Sequence, residues 1–283
     1  MKRIKYSISI IIPIFNLASK DSLSYFNDLI QSICINILPD QKYLIHELII
    51  IDDSPNLTNK PAIKDILKPL LDLTTLKYYR NIKNEGQAFS RNRGATYANG
   101  DYLHFIDQDD LLCSEFYKFL IFDNKSADLL MADCVHLSNK NKSYYRYLTK
   151  YLLKRANSIV QLRFLLFNNI ANSPGQYIIK KSTFLSVNGF PLLINRGSDD
   201  FGFFLRLIKI KHKFIFKNKS KFAYRTHSQQ SSKSLNMENS EINAFEDYSY
   251  NISDILYWVK IIKLNKKFSL IRKLLYKVFY ASF

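Results

Sequence analysis

The chain has 283 residues, 47% of them hydrophobic, with 41 Lys and Arg against 24 Asp and Glu for a net charge of +17. That composition places it among ordinary globular proteins, as one large domain or a domain with an appendage, and not among disordered or fibrous chains. The positive charge favours polyanionic partners such as phosphates, nucleic acid or an anionic membrane surface, although coding bias towards Lys and Asn gives the same excess. Three cysteines, Cys34, Cys113 and Cys134, are odd in number and form no close pair. They argue against a disulfide framework and a structural zinc site, and fit a reducing compartment.

The N-terminal Met1-Lys-Arg-Ile-Lys-Tyr-Ser is charged like a signal peptide, but the apolar run that follows is broken by Ser9 and Pro13 and lacks a small-residue cleavage site. It reads as a first strand, Ser7 to Ile14, β-branched and continuous as for a strand buried on both faces. No stretch reaches the roughly 18 uncharged apolar residues that a membrane-spanning helix needs. Asp21 or Ser22 is expected to cap a helix through Tyr25, Leu29, Ile30 and Ile33, ended by Pro39. Leu44 to Ile51 is a second apolar run, and it ends in Asp52-Asp53-Ser54-Pro55. Two strands that deliver polar groups from their C-terminal ends, with helices between, predict an open α/β sheet whose ligands collect at that edge.

Ile63 to Leu71 has helical spacing, and Leu73 to Tyr79 reads as a short strand. Ala88 to Ala98 reads as a helix with Gly86 in the loop before it, Arg91 in its first turn and Gly100 as its C-cap. A cation near a helix start opposes the dipole, so Arg91 either faces solvent or reaches for an anion. The apolar run Tyr102 to Ile106 then stops at three acids, Asp107, Asp109 and Asp110. Ionised carboxylates do not enter a core unpaired, so these face water or a cation. On an extended backbone Asp107 and Asp109 share a direction, as two oxygen ligands of one hard cation would, while Asp110 points away and caps the next helix.

A helix is expected over Ser114 to Phe122 and a strand over Asp128 to Val135, with a loop followed by a helix in the polar, Tyr-rich segment 138–154. Asn172 to Lys181 combines a turn with a strand, and Ser182 caps a short helix to Asn188 stopped by Gly189. Asp199 and Asp200 head an apolar helix, as caps or as functional acids. Phe214 to Phe216 and Ala223 to Arg225 read as strand, leading to His227. From Glu241 the chain has helical spacing to its end, with an apolar stripe of Leu264, Phe268, Ile271, Leu275 and Val278 beside a row of lysines. Such a helix packs on the domain or lies in an anionic membrane interface.

In order, Ser9 to Asn16, Ile50-Ile-Asp-Asp-Ser54, Asn84-Glu-Gly-Gln-Ala-Phe-Ser-Arg-Asn-Arg-Gly94, Phe105-Ile-Asp-Gln-Asp-Asp110 and Ser198-Asp-Asp200 closely resemble the pattern of glycosyltransferase family 2 on the GT-A fold. The resemblance covers about residues 7–232. It implies an α/β fold with a mixed, mostly parallel sheet flanked by helices. The GT-A domain would span 1–235, divided into a nucleotide-sugar half (1–111) and an acceptor half (112–235), with 236–283 as a basic amphipathic helical extension. It further implies that Pro13, Phe15 and Asn16 line the nucleotide pocket, that Asp52 and Asp53 read the base, and that Asn84 and Arg91 hold the nucleotide and its diphosphate. Asp107, Asp109 and His227 would bind Mn2+ or Mg2+, with Asp107 also towards the ribose and Arg225 or nearby serines on phosphate. Asp200 would be the catalytic base, and Asp199 and Gln176 would contact the acceptor.

These expectations amount to a metal-dependent, inverting glycosyltransferase that uses a nucleotide-sugar donor, with a UDP-sugar expected, and a surface or lipid-linked glycan acceptor. It would be cytoplasmic, or peripheral on the inner face of the membrane, with no nucleic-acid partner. Two rivals remain at this stage. One is a nucleotidyltransferase of the same fold, disfavoured by the lack of a Gly-rich activating loop near the N-terminus. The other is a basic nucleic-acid or membrane-binding protein, which has no need of spaced acids at strand ends.

Overall fold

Ile8–Ile14 forms strand β1, and its alternate side chains divide between two cores. Ile8, Ile10, Ile12 and Ile14 pack on one sheet face and Ile11 on the other, which is why the run is apolar without alternation. The computed structural model describes residues 7–37, 45–55, 60–121, 127–138, 144–145, 171–194, 197–208, 213–227, 240, 243–244 and 247. Helix α1 (Lys20–Asn36) follows and buries Phe26, Leu29, Ile30 and Ile33 against the first face. Its cap is Ser19, in a reciprocal capping box with Ser22, and not Asp21 or Ser22 themselves.

Strand β2 (Ile45–Asp52) pairs in parallel with β1, and β3 (Thr75–Arg80) in parallel with β2. Between them lie helix α2 (Lys60–Leu67) and a short 3-10 turn, Lys68–Leu70. Helix α3 (Gln87–Tyr97) packs Ala95 and the neighbouring Ala98 on the second face. Arg91 therefore stands in its second turn, not its first. Gly100 is not the C-cap, because the helix ends at Ala98 in extended conformation. Gly100 is needed for close approach: a Cβ there would lie 2.6 Å from the Ser9 backbone nitrogen. Strand β4 (Tyr102–Phe105) lies parallel to β1 on its other side.

The second half completes one mixed sheet in the order β3-β2-β1-β4-β8-β6-β9-β5, with β7 paired to β6. Its strands are β5 (Leu111–Leu112), β6 (Leu129–Ser138), β7 (Tyr144–Tyr145), β8 (Tyr177–Lys180) and β9 (Phe214–Thr226). Strand β8 runs antiparallel to both β4 and β6, whereas β9 runs parallel to β6. The two strand pieces expected over 214–225 are thus one strand, with a register shift between Ala132 and Asp133 on its partner.

Helix α4 (Phe116–Ile121) is not capped by Asp110; the Phe116 amide donates to Asn36 Oδ1 at 2.7 Å. Helix α5 (Lys181–Ser186) has Lys180 and not Ser182 at its N-cap, and the chain leaves it where Asn188 and Gly189 adopt positive φ of 57° and 60°. Helix α6 (Asp199–Ile208) opens on the acidic pair. The Ser198 amide donates to Ser240 Oγ, and Arg206 pairs with Asp247, so the start of the C-terminal segment rests on this helix. Nearly all of the expected helix from Glu241 onward, and most of segment 138–154, lie outside the described residues. Among the described residues no helix is long and apolar enough to cross a membrane. All three cysteines are free.

Candidate active site

Parallel pairing aligns Ile14 with Asp52 and Ile11 with Phe105, so the loops after β1, β2 and β4 leave the sheet at one edge. Two cavities open there, of 470 and 690 Å3, and share a wall of Phe15, Asp53, Gln87, Asp107 and Asp109. Pro13, Phe15 and Asn16 line the first. The Phe15 backbone is gripped at both ends by the Gln108 amide: Oε1 accepts from its N–H at 2.7 Å and Nε2 donates to its carbonyl at 3.1 Å. Asn16 turns the chain with φ of 49° and donates its N–H to Ser54 Oγ.

The two acids after β2 have different fates. Asp52 is buried; its carboxylate accepts from the Ser54 N–H at 2.9 Å and the Tyr78 hydroxyl at 2.5 Å, and it lines neither cavity. Asp52 therefore serves to join β2 to β3 and stands away from both cavities, unlike the expected pair of base-reading acids. Asp53 lines both cavities. Its Oδ1 accepts from Asn81 Nδ2 and the Glu85 N–H, and its Oδ2 from the Gly86 N–H at 2.7 Å. Gly86, with φ of 94°, supplies that amide from a conformation open to glycine. Asn84 lines the second cavity.

The acids after β4 sit in a turn, where the Asp110 N–H donates to the Asp107 carbonyl at 3.2 Å, and not on extended backbone. Asp107 and Asp109 nevertheless face the same cavities. Asp110 is buried, its Oδ1 accepts from the Arg225 N–H at 3.0 Å, and burial pushes its carboxyl well up. It fastens the end of β9 to the turn. That brings His227 Nε2 to 2.8 Å from Asp109 Oδ2. Arg225 is occupied in the same scaffold: its Nε donates to the Asp109 carbonyl at 2.9 Å, its Nη2 pairs with Asp28 at 2.8 Å, and it lies over the Tyr25 ring at 4.4 Å. It lines neither cavity, so its expected contact with phosphate gives way to holding Asp109.

Arg91 is buried and spans the turn and α6, donating to Asp107 Oδ1 at 2.5 Å and to Asp199 Oδ2 at 2.6 Å. Burial pushes the Asp107 carboxyl up against the pull of this guanidinium. Asp200 lines the second cavity beside Asp199, and burial together with the Asp199 charge pushes its carboxyl up to about 7. Gln176 is fully buried, donates to the Ala132 carbonyl and accepts from the Asn172 N–H, and lines neither cavity. The expected acceptor contact becomes a brace between the turn before β8 and strand β6.

Among the described residues no three His, Cys, Asp or Glu side chains gather as a complete metal cage. Asp109 and His227 still fit a divalent cation that takes its remaining ligands from a diphosphate and water, the usual arrangement for Mg2+. Both donor atoms belong to one hydrogen-bonded pair that lines the first cavity.

The glycosyltransferase-like family 2 model matches residues 9–257. The chain belongs to that family. It is 28% identical over 207 residues to an uncharacterised glycosyltransferase of Haemophilus influenzae, covering 66% of this chain and 68% of that protein. Among solved structures it resembles TarS residues 1–349 of S. aureus in complex with UDP-GlcNAc, with a TM-score of 0.65 and 16% identity over 96% of this chain and 75% of that one. It also resembles the mannosyltransferase PcManGT of Pyrobaculum calidifontis in complex with GDP-Man and Mn2+, again with a TM-score of 0.65, at 14% identity over 98% and 76%. The sheet is the GT-A arrangement of these glycosyltransferases, and the protein is a family 2 enzyme.

Within this glycosyltransferase the structure brings Pro13, Phe15, Asn16, Asp53, Asn84, Arg91, Asp107, Asp109, His227, Asp199 and Asp200 to one cleft. Asp52, Gln176 and Arg225 stay outside it. Sequence reasoning missed Gln108, the residue between the paired acids, and Tyr25 and Asp28. These last two lie three apart on α1, and their spacing alone gives no sign of a partner 197 residues away.

Proposed function

We propose that this glycosyltransferase moves a hexose or N-acetylhexosamine from a UDP-linked donor to a hydroxyl of a surface polysaccharide or lipid-linked glycan, with inversion and with Mn2+ or Mg2+. The observation that carries the reading is the placement of Asp53, the Asp109–His227 pair and Asp200 around one cleft. Of the roughly four lone-pair positions on a carboxylate, Asp53 already uses three for N–H donors. The remaining one suits a base that offers a single N–H flanked by acceptors, as uracil does, better than guanine with its two adjacent donors. Structural neighbours crystallised with UDP-GlcNAc, and with GDP-Man and Mn2+, support a nucleotide-diphosphate sugar and a divalent ion.

Asp109 and His227 would hold the ion at the diphosphate, where a divalent cation stabilises charge on the leaving nucleoside diphosphate. The acceptor hydroxyl attacks the sugar C1 from the opposite side as the C1–O bond to the diphosphate breaks, so the configuration inverts. Asp200 takes the hydroxyl proton. A carboxyl held near 7 is a stronger base than an ordinary aspartate and is still substantially ionised at neutral pH. Leu192 and Ile194, 65% and 91% exposed, stand at the lip of the same cavity and suit an acceptor that carries an apolar anchor.

A screen of nucleotide sugars for transfer and hydrolysis with Mn2+ present tests the proposal. UDP-sugars are expected to be consumed. Turnover of a GDP-sugar alone would contradict the assignment of Asp53, and consumption unaffected by a chelator would contradict the ion.

A further inference from the structure

The resemblance places Arg91 on the donor diphosphate, but its surroundings point elsewhere. The side chain borders the second cavity but is only 2% exposed, with both terminal nitrogens already committed to carboxylates. Nη2 donates to Asp107 Oδ1 at 2.5 Å and, more loosely, to Gln87 Oε1 at 3.4 Å. Nη1 donates to Asp199 Oδ2 at 2.6 Å, and the guanidinium lies 5.3 Å from the centre of the Phe190 ring. We propose that Arg91 is a positioning residue, a buried strut that ties Asp107 on the donor side to Asp199 on the acceptor side and so fixes the adjacent Asp200 as base. The inference rests on the reading of Asp200 given above.

Three carboxylates, Asp107, Asp199 and Asp200, meet at the margin of the core, and each one withdrawn from water is costly unless a cation compensates. Arg91 is that cation, bonded directly to Asp107 and Asp199 and opposing the upward push of burial on Asp200. A guanidinium suits the task because its planar fork meets two carboxylates at fixed angles, which a compact ammonium cannot do. The strut also stands on a rigid base. Ser90 is fully buried, and a Cβ at Gly94 would come within 2.4 Å of Ile11 Cγ2, so α3 lies tight against β1.

At the other end Asp199 is the first residue of α6, so holding it sets where Asp200 starts. Asp109 is anchored independently, through Arg225 Nε on its carbonyl and His227 on its carboxylate. Loss of the strut should therefore damage proton abstraction and spare the ion and nucleotide.

Arg91→Lys, Asp199→Asn and the double variant test this by calorimetric UDP titration with Mn2+ and by steady-state transfer. Arg91→Lys should keep the UDP Kd within about threefold of wild type while kcat falls about a hundredfold or more with little change in donor KM. Asp199→Asn, which breaks only half of the strut, should reproduce the kcat loss, and it serves as the test if Arg91→Lys does not fold. The double variant should be no worse than the poorer single by more than about threefold, because both act through one contact. Two results overturn the strut: UDP affinity weakened about tenfold or more in Arg91→Lys with UMP affinity unchanged, or losses that multiply in the double variant. Failure of the underlying reading is distinguishable, because it appears in the wild-type control as an absence of sugar transfer.

Discussion

Asp200 shows how one side chain's surroundings set its chemistry. Burial and the Asp199 charge hold its carboxyl at about 7, so protonation, and with it loss of the proposed base, sets in as pH falls through that value. The pH profile of kcat should rise about tenfold per unit below about 7 and level off above it; a profile flat from pH 5 to 8 would remove Asp200 from the proton transfer. Asp200→Asn should lower kcat by about 10²- to 10⁴-fold and leave UDP affinity unchanged in a calorimetric titration. The acid triplet was legible from the apolar run that ends on it, and so was the difference between Asp110 and its two neighbours. What Asp110 does was not legible, because its partner, the Arg225 amide, is 115 residues away. The same holds for Arg91, whose second carboxylate lies 108 residues on.

Among elements, the strands of the first half were readable because a strand buried on both faces is mostly apolar, as β1 is apart from Ser9 and β2 apart from His46, Glu47 and the terminal Asp52. Helix ends were read less well. The caps depend on contacts that sequence spacing does not specify, such as Asn36 of α1 receiving the first amide of α4. Gly100 illustrates the same limit, since close approach to Ser9, and not helix termination, requires a glycine there. Gly100→Ala is expected to cost about 1–3 kcal/mol from overpacking against backbone, measured by chemical denaturation.

His104 on β4 gives a second, pH-dependent test at this scale. It is fully buried, hydrogen-bonded to the Tyr117 hydroxyl and the Gly175 carbonyl, and burial lowers its ring from 6.5 to about 4. Between those values the unfolded chain takes up a proton and the folded one does not, so stability falls as pH falls. His104→Gln removes that component, and the stability gap between the two proteins should narrow by about 2 kcal/mol from pH 7 to pH 5. An unchanged gap would contradict a neutral buried ring.

For the whole molecule, the GT-A sheet and the cleft at the carboxyl ends of its strands followed from the ordered motifs, and the family match extends through residue 257. The charge of +17 and the lysine-rich C-terminal sequence give a separate expectation: the full chain should float with anionic liposomes, and a chain truncated after Asn251 should not. Equal flotation would assign the attraction to the domain itself.

The proposed transfer depends most on a divalent ion that Asp109 and His227 would hold next to a base pocket at Asp53. Titration of UDP into the protein with and without Mn2+ tests this directly. It predicts binding that requires the ion and is lost in Asp109→Ala; tight UDP binding by that variant without any metal would contradict it.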